Sequence, residues 1–154
     1  MDMKQVLQVL NQALQIEYAS TIQYLQHSFL VQGIDRKMYA DFFRDRSRNA
    51  FNQAREIGEH IVTLGGVPSV EGYPIKQSAE LKEMLQFDLE LERSGLQIYQ
   101  EGVEAAGNHS PLKFFFETQA YQTYQDIGEI EKLLERKRLF LSEGEVQLKK
   151  ARIA

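Results

Sequence analysis

The connection at residues 65–77, GGVPSVEGYPIKQ, constrains the fold of this chain more than any other feature. It contains three glycines and two prolines, and it separates two pairs of long segments with the helical period of apolar residues. Neighbouring antiparallel helices are usually joined by about two to eight residues, so a longer connection is expected to run along the helices to their opposite end. Two helices, one long crossover and two more helices predict an all-α four-helix bundle.

Turn residues and caps place the ends of the predicted helices. Gly65 suits the C-terminal cap of the second helix. Ser110 followed by Pro111 suits the start of the fourth, as N-cap and first helical residue. The segment SEGE at 142–145 is a capping box, which predicts a short fifth helix. The predicted single domain, residues 1–154, has helices over about 4–31, 37–64, 78–106, 111–140 and 143–152.

Composition and charge narrow the classes of function. The net charge of −4 disfavours general binding to nucleic acid or anionic membranes, because that binding needs a basic face or tail. No run approaches the roughly 18 apolar residues of a membrane-spanning helix, and the N-terminus lacks the apolar run of a secretory signal. A cytoplasmic protein is therefore expected. The absence of Cys excludes disulfides and thiolate metal sites.

Acidic residues interrupt the inward-facing lines of three predicted helices. Glu17 lies on the first helix, Asp88 and Glu92 on the third, and Asp126 and Glu129 on the fourth. A buried lone carboxylate is unfavourable, and several carboxylates at one level repel each other. A cation held by oxygen ligands is the natural counter-charge. The pattern therefore predicts a polar site inside the bundle, where a metal ion is one way to balance the charge.

Four segments of the chain carry a family pattern. They are IEYASTIQYLQH (16–27), AREIGEHIVTLGGVPSV with its crossover start, EMLQFDLELERSGLQIYQEGVEAA (83–106) and, more weakly, YQDIGEIEKLLE (124–135). Over about residues 5–140, these segments resemble bacterioferritin. The resemblance implies a ferritin-like fold with Glu17 and Glu92 as metal ligands and Asp126 as a conservative replacement for a ligand Glu. It also implies that Tyr24 lies beside the metal site.

Other positions depart from the bacterioferritin pattern. The helix-two Glu and His of that family align with Ala50 and Gln53, and its helix-four His aligns with Glu129. Its haem-ligating Met aligns with Phe51, so haem is not expected. The resemblance thus implies an incomplete two-iron site. The residues that remain for binding iron or another divalent metal are Glu17, Glu92, Asp126, Glu129 and Gln53.

Three interpretations of the polar site stay open. The first is a metal ion bound by these oxygen ligands. The second is a buried hydrogen-bond network that fixes helix register. The third is a cationic side chain in place of the metal; Arg46 lies on the right face, but its side chain is expected to point toward its own N-terminus, away from position 50. Among the histidines, His27 is expected to make a local hydrogen bond and His60 to lie in the core or an interface.

Three functions follow from these interpretations. The first is iron storage or metal binding with an incomplete ferroxidase site. The alternatives are a ferroxidase that uses the rearranged carboxylates and a non-catalytic structural or interaction protein. The family resemblance implies a homodimer through the first two helices or a larger homo-oligomer, and the loss of ligands suggests co-assembly with an active ferritin-like subunit.

Overall fold

The computed structural model describes residues 1–135, and these residues form an all-α bundle. The predicted fifth helix, 143–152, lies outside the described residues. Within residues 1–135, no helix has both the length and the apolarity needed to cross a bilayer. The prediction of four helices and a long crossover is confirmed. The helices are α1 (Met3–Leu30), α2 (Arg36–Thr63), α3 (Leu81–Ala106) and α4 (Ser110–Leu133).

The C-terminus of α2 shows why the crossover begins where it does. Gly65 adopts φ +83°, a left-handed conformation that favours glycine. The Gly66 N–H donates to the Ile61 carbonyl and the Gly65 N–H to the Val62 carbonyl, both at 2.9 Å. This pair of hydrogen bonds is a Schellman motif, which satisfies the last carbonyls of the helix and turns the chain away.

The predicted start of α3 and both predicted ends of α4 need correction. α3 begins at Leu81 rather than near residue 78. The N-cap of α4 is His109 rather than Ser110, because the His109 Nδ1 accepts a hydrogen bond from the Leu112 N–H at 3.3 Å. Ser110 is instead the first helical residue. The helix ends at Leu133 rather than near residue 140, and Glu135 after it adopts φ +56°.

The crossover is held along α1 by amide side chains of that helix. Asn11 Oδ1 accepts from the Ser69 N–H at 2.7 Å, and Gln23 Oε1 accepts from the Lys76 N–H at 3.0 Å. Residue numbers on α1 and on the crossover rise together, so the connection runs the length of the helix. This path places the start of α3 at the far end of the bundle from the end of α2.

The helices pack unevenly around the bundle axis. α1 packs against α2 and α3, and α3 packs against α4, whereas no Cα atom of α2 comes within 8 Å of a Cα atom of α4. Two apolar clusters fill the ends of the bundle: one includes Leu10, Leu14 and Ile57, and the other includes Phe43 and Met84. The layer between them is polar and opens toward the gap between α2 and α4.

Candidate functional site

A cavity of about 250 Å³ occupies this polar layer. Four of the predicted ligand residues line it, so the helical periods place them at one level of the bundle as expected. The remaining lining is mostly amide side chains from α2 and α4, which gives the cavity many hydrogen-bonding groups and few apolar ones. The lining residues are Glu17, Arg46, Asn49, Ala50, Asn52, Gln53, Glu92, Gln119, Gln122, Thr123 and Asp126.

Two tyrosines hold the carboxyls on the inner side of the cavity. Tyr99 donates its hydroxyl hydrogen bond to Glu17 Oε1 at 2.6 Å, and Tyr24 donates to Glu92 Oε1 at 2.8 Å. The structure thus places Tyr24 beside the site, where the family resemblance implied it, and adds Tyr99, which the sequence analysis did not identify. The antiparallel course of α1 and α3 brings both pairs together.

Burial sets the charge of these carboxyls. Desolvation, followed by the nearby Glu92 carboxylate, raises the pKa of Glu17 to about 8. Desolvation, followed by the charge of Asp126, raises the pKa of Glu92 to about 7. At neutral pH Glu17 is therefore mostly protonated and Glu92 is protonated in part of the molecules. Protonation thus removes part of the negative charge in the layer.

Arg46 supplies the positive charge of the layer. Its Nη1 lies 3.3 Å from Asp126 Oδ1 and 4.0 Å from Glu92 Oε1, and the Arg46 side chain is only 10% exposed. The expected direction of the Arg46 side chain was right, but the conclusion that it would miss the site was wrong. The side chain extends toward the N-terminus of α2, but Asp126 and Glu92 lie at that level of the bundle, so the guanidinium meets them.

The Arg46 contacts are charge contacts rather than well-aligned hydrogen bonds. Nη1 is buried, and among the described residues it has no hydrogen-bond partner of acceptable geometry, although Asp126 lies within ion-pair distance. The guanidinium also lies over the Phe42 ring, 4.9 Å from its centroid. Burial raises the pKa of Asp126, and the charge of Arg46 opposes that rise.

α2 contributes no negatively charged ligand to the cavity. Ala50 is buried on the cavity wall and carries no ligand atom. Gln53 lines the same wall, and its Oε1 is buried without a hydrogen-bond partner among the described residues. Ala50 and Gln53, at the family's ligand positions on this helix, thus face the site. Together they provide only one possible ligand atom, the neutral oxygen of Gln53.

Glu129 does not join the other predicted ligands. Its side chain is 62% exposed and pairs with Lys132 Nζ at 3.3 Å on the outside of α4. The i and i+3 positions 126 and 129 lie on neighbouring parts of the helix surface, but only Asp126 lines the cavity. The expected ligand set is therefore reduced by one carboxylate.

A second buried polar cluster joins α1 to α3, one turn beyond the cavity. His27 Nδ1 hydrogen-bonds to the Asp88 carboxylate at 3.0 Å, and Gln23 Nε2 donates to Asp88 Oδ1 at 2.9 Å. The predicted local hydrogen bond of His27 was wrong, because its partner is on another helix. Burial raises the pKa of Asp88, and the bonds from His27 and Gln23 oppose that rise.

His60 and His109 lie away from the cavity. The His60 ring packs against Phe115 with 4.3 Å between centroids, which agrees with its predicted core or interface position. His109 caps α4. Phe51, at the position of the family's haem ligand, lies on the outer face of α2 and is 52% exposed.

The family assignment follows from comparison of the whole sequence. A family model for a ferritin-like domain matches residues 7–139, which is most of the chain. The chain belongs to the ferritin-like family. No curated protein matches it at a significant level.

Solved structures with the ferritin-like fold superpose closely on this chain. A ferritin-like, diiron-carboxylate protein from Bacillus anthracis str. Ames has a TM-score of 0.83 and 28% identity, covering 87% of this chain and 98% of that chain. The Rhodobacter capsulatus bacterioferritin, with a metal-free dinuclear site and haem iron, has a TM-score of 0.76 and 23% identity, covering 84% and 83%. A dodecameric thioferritin from Bacteroides fragilis has a TM-score of 0.80 and 20% identity, covering 88% of each chain. At these identities, the last two show the fold alone.

The donors of the cavity do not fit the two-iron set of ferritin-like bundles. That set takes a Glu from each of two helices and a Glu-x-x-His pair from each of the other two. Here α2 presents Ala50 and Gln53, and Arg46 brings a positive charge against the carboxylates that would have to bind the metals. Within residues 1–135, no group of three or more His, Asp or Glu side chains is arranged to hold a metal ion. The residues that line the cavity therefore do not match this two-iron set.

Proposed function

We propose that this chain is a non-catalytic iron-storage subunit: it contributes a ferritin-like bundle to a storage assembly and does not oxidise Fe(II) at a centre of its own. The observation that carries the proposal is the cavity wall formed by α2, where Ala50 and Gln53 stand at the positions of a Glu and a His ligand. Membership of the ferritin-like family supports the storage role, and the similarity to a diiron-carboxylate protein supports a relation to iron.

The proposal assigns Fe(II) oxidation to another subunit or to reaction outside the bundle. An assembly of this chain alone would store iron slowly, whereas co-assembly with an active ferritin-like subunit would supply the oxidised iron. Within the bundle, Tyr24 and Tyr99 keep Glu92 and Glu17 oriented by hydrogen bonds, and Arg46 balances the remaining charge. The polar layer then maintains the register of the helices rather than a reaction.

A second candidate is a single hard cation in the cavity, and one observation favours it. Gln53 Oε1 is buried with no hydrogen-bond partner among the described residues, beside Glu17, Glu92 and Asp126. A cation with oxygen ligands would use that atom and the three carboxyls together. This candidate keeps the predicted metal-binding role but without the second metal that ferroxidase chemistry in this fold uses.

Aerobic addition of Fe(II) to the purified protein tests the proposal. Near-ultraviolet absorbance follows Fe(III) formation, and metal analysis after desalting gives iron per chain. We expect oxidation no faster than in protein-free buffer and less than a pair of irons per chain. A rapid oxidation phase with a pair of irons bound per chain would overturn the proposal and favour the rearranged ferroxidase.

A restoration variant calibrates the same assay. Ala50→Glu with Gln53→His, in an Arg46→Met background, returns an acidic ligand and an imidazole to the cavity wall and removes the competing charge. We expect more iron bound per chain than in the wild type. The matched control, Asp45→Glu with Arg48→His in the same Arg46→Met background, places the same pair at the same spacing on exposed positions of α2. An equal gain in both variants would show that the added residues bind iron irrespective of the cavity.

A further inference from the structure

We propose that Arg46 is the residue that decides which cations the cavity accepts: its guanidinium acts as a tethered counter-cation that excludes divalent metal ions. This role deepens the proposed function, on which it rests, by naming the group that replaces the metal. It concerns the ion specificity of the cavity, whereas the proposed function concerns the absence of iron oxidation.

The geometry gives Arg46 the position that such a role requires. Its Nη1 approaches carboxylates from two different helices, Glu92 on α3 and Asp126 on α4, while the backbone of Arg46 belongs to α2. The side chain therefore spans the gap between α2 and α4. A metal ion in the same place would join the same two carboxylates. Arg46 joins them to α2 instead, so the bundle can hold these carboxylates together without a metal ion.

The burial of Arg46 makes its charge effective. The side chain is 10% exposed and those of Glu92 and Asp126 are 14% and 22% exposed, so water screens the three groups only weakly. A divalent cation bound to the same carboxylates would lie a few ångströms from the guanidinium. The two like charges would repel each other strongly at that distance, because water screens groups this buried only weakly.

The surroundings hold the guanidinium in this place. The Phe42 ring lies under it, 4.9 Å from the guanidinium carbon to the ring centroid, which is a cation–π arrangement. Gln122 Nε2 donates to the same Asp126 Oδ1 at 3.1 Å and so fixes the carboxylate. Withdrawal of Arg46 would therefore break contacts with several groups at once.

Titration with Co²⁺ tests the role of Arg46. The chelator-treated wild type, Arg46→Met and Arg46→Lys are compared by calorimetry and by the visible absorption of bound Co²⁺. We expect Arg46→Met to gain a single Co²⁺ site per chain with an affinity at least about tenfold above that of the wild type. Arg46→Lys keeps the positive charge and should resemble the wild type.

Two further variants locate the effect. Arg48→Met makes the same change two residues away, at an exposed position that pairs with Asp45, and should leave Co²⁺ binding unchanged. Glu92→Gln added to Arg46→Met removes a carboxylate from the cavity and should abolish the gained site. Equal Co²⁺ affinity in the wild type, Arg46→Met and Arg48→Met would overturn the proposal.

Folding of Arg46→Met provides a second readout. If the variant loses its helical circular dichroism without metal, restoration of that signal by Co²⁺ would support the counter-cation role, and a failure to restore it would overturn the role. Rapid Fe(II) oxidation by the wild type would instead overturn the proposed function. Tight Co²⁺ binding by the wild type that is lost in Glu92→Gln would overturn the role of Arg46 and favour the single-cation site.

Discussion

Glu17 is one carboxyl inside the bundle that couples the stability of the fold to pH. Burial raises its pKa from the ordinary value of 4.5 to about 8. Between these values the unfolded chain has released the proton and the folded chain keeps it, so the unfolded state binds fewer protons. The contribution of Glu17 to stability is therefore fully present below about pH 4.5 and declines as the pH rises toward about 8.

Replacement of Glu17 by Gln should remove this decline. The amide oxygen of Gln can still accept the hydrogen bond from Tyr99, but the side chain cannot ionise. We expect Glu17→Gln to match the wild type at about pH 5 and to exceed its free energy of unfolding by about 1–3 kcal/mol at about pH 9, measured by urea denaturation. Glu117→Gln makes the same change at an exposed position of α4 and should leave the pH profile unaltered. Parallel pH profiles for Glu17→Gln and the wild type would contradict the prediction.

The sequence predicts the position of a short side chain in the site better than that of a long one. Ala50, Gln53 and Glu92 have short or medium side chains, and the helical period together with the family resemblance placed them on the cavity wall. Arg46 has a long side chain whose end lies a full turn from its Cα atom, so its contacts depend on what the facing helices present at that level. Periodicity predicts the helix face on which a residue lies, but not the height along the bundle that the end of its side chain reaches.

The sequence analysis did not predict the polar pairs between α1 and α3, and the reason is related. Tyr99 with Glu17 and His27 with Asp88 each join residues on different helices, and their alignment depends on the register of two antiparallel helices. A usable signal was present, because both helices carry polar residues on otherwise apolar lines. Pairing those residues in reverse order along the two helices would have suggested the contacts.

At the level of whole elements, the sequence predicted the presence of each helix more accurately than the residues at which the helix begins and ends. Long amphipathic periods and the glycines after α2 are strong local signals, and the crossover followed from its length. The start of α4 was misplaced by one residue, because the pair Ser110-Pro111 is a strong N-cap signal whereas an N-capping His109 depends on its ring nitrogen reaching Leu112. The end of α4 near Leu133 has no Gly or Pro to mark it.

The crossing of α3 and α4 depends on Gly102. A Cβ atom at this position would lie 2.3 Å from Cδ1 of the Phe116 ring, closer than non-bonded carbon atoms approach. The absence of a side chain allows the Phe116 ring to pack directly on α3. Phe116 is fully buried in the apolar cluster near this end, so the ring has little room to move away.

Gly102→Ala should therefore destabilise the bundle despite the higher helix propensity of Ala. Overpacking of this kind costs about 1–3 kcal/mol, which corresponds to a fall in Tm of roughly 2–12 °C for a chain of this size. Gly95→Ala is the matched control on the same helix, since its Cβ would meet Ile16 Cγ2 at an ordinary 3.5 Å. We expect the control to be neutral or slightly stabilising in thermal denaturation. A Gly102→Ala variant as stable as Gly95→Ala would show that Phe116 repacks without cost.

For the molecule as a whole, we expect assembly with a second copy to use the outer face of α1 and α2. Phe43 is buried in the bundle core, but Ile22, Phe51 and Val62 are more than half exposed on this face. Two cavities of about 400 and 430 Å³ share Tyr18 and Phe51 as lining, and together they form a mostly apolar groove that Arg55 and Glu59 also line. Exposed apolar side chains that are grouped beside charged ones are typical of a protein interface. A two-fold contact with a second copy would bury it.

Charged substitutions in this groove should dissociate the assembly. We expect the wild type to elute as a dimer or a larger assembly in size-exclusion chromatography with light scattering, and Ile22→Glu with Phe51→Glu to approach the 17.8 kDa mass of one chain. Desolvating two carboxylates in an apolar contact is unfavourable, whereas Glu is well tolerated on a solvated helix face. Phe114→Glu is the control, because Phe114 is 70% exposed on α4, outside the groove. Dissociation by Phe114→Glu but not by the groove variant would place the interface on α4. A monomeric wild type would contradict the proposed storage role, because that role requires an assembly.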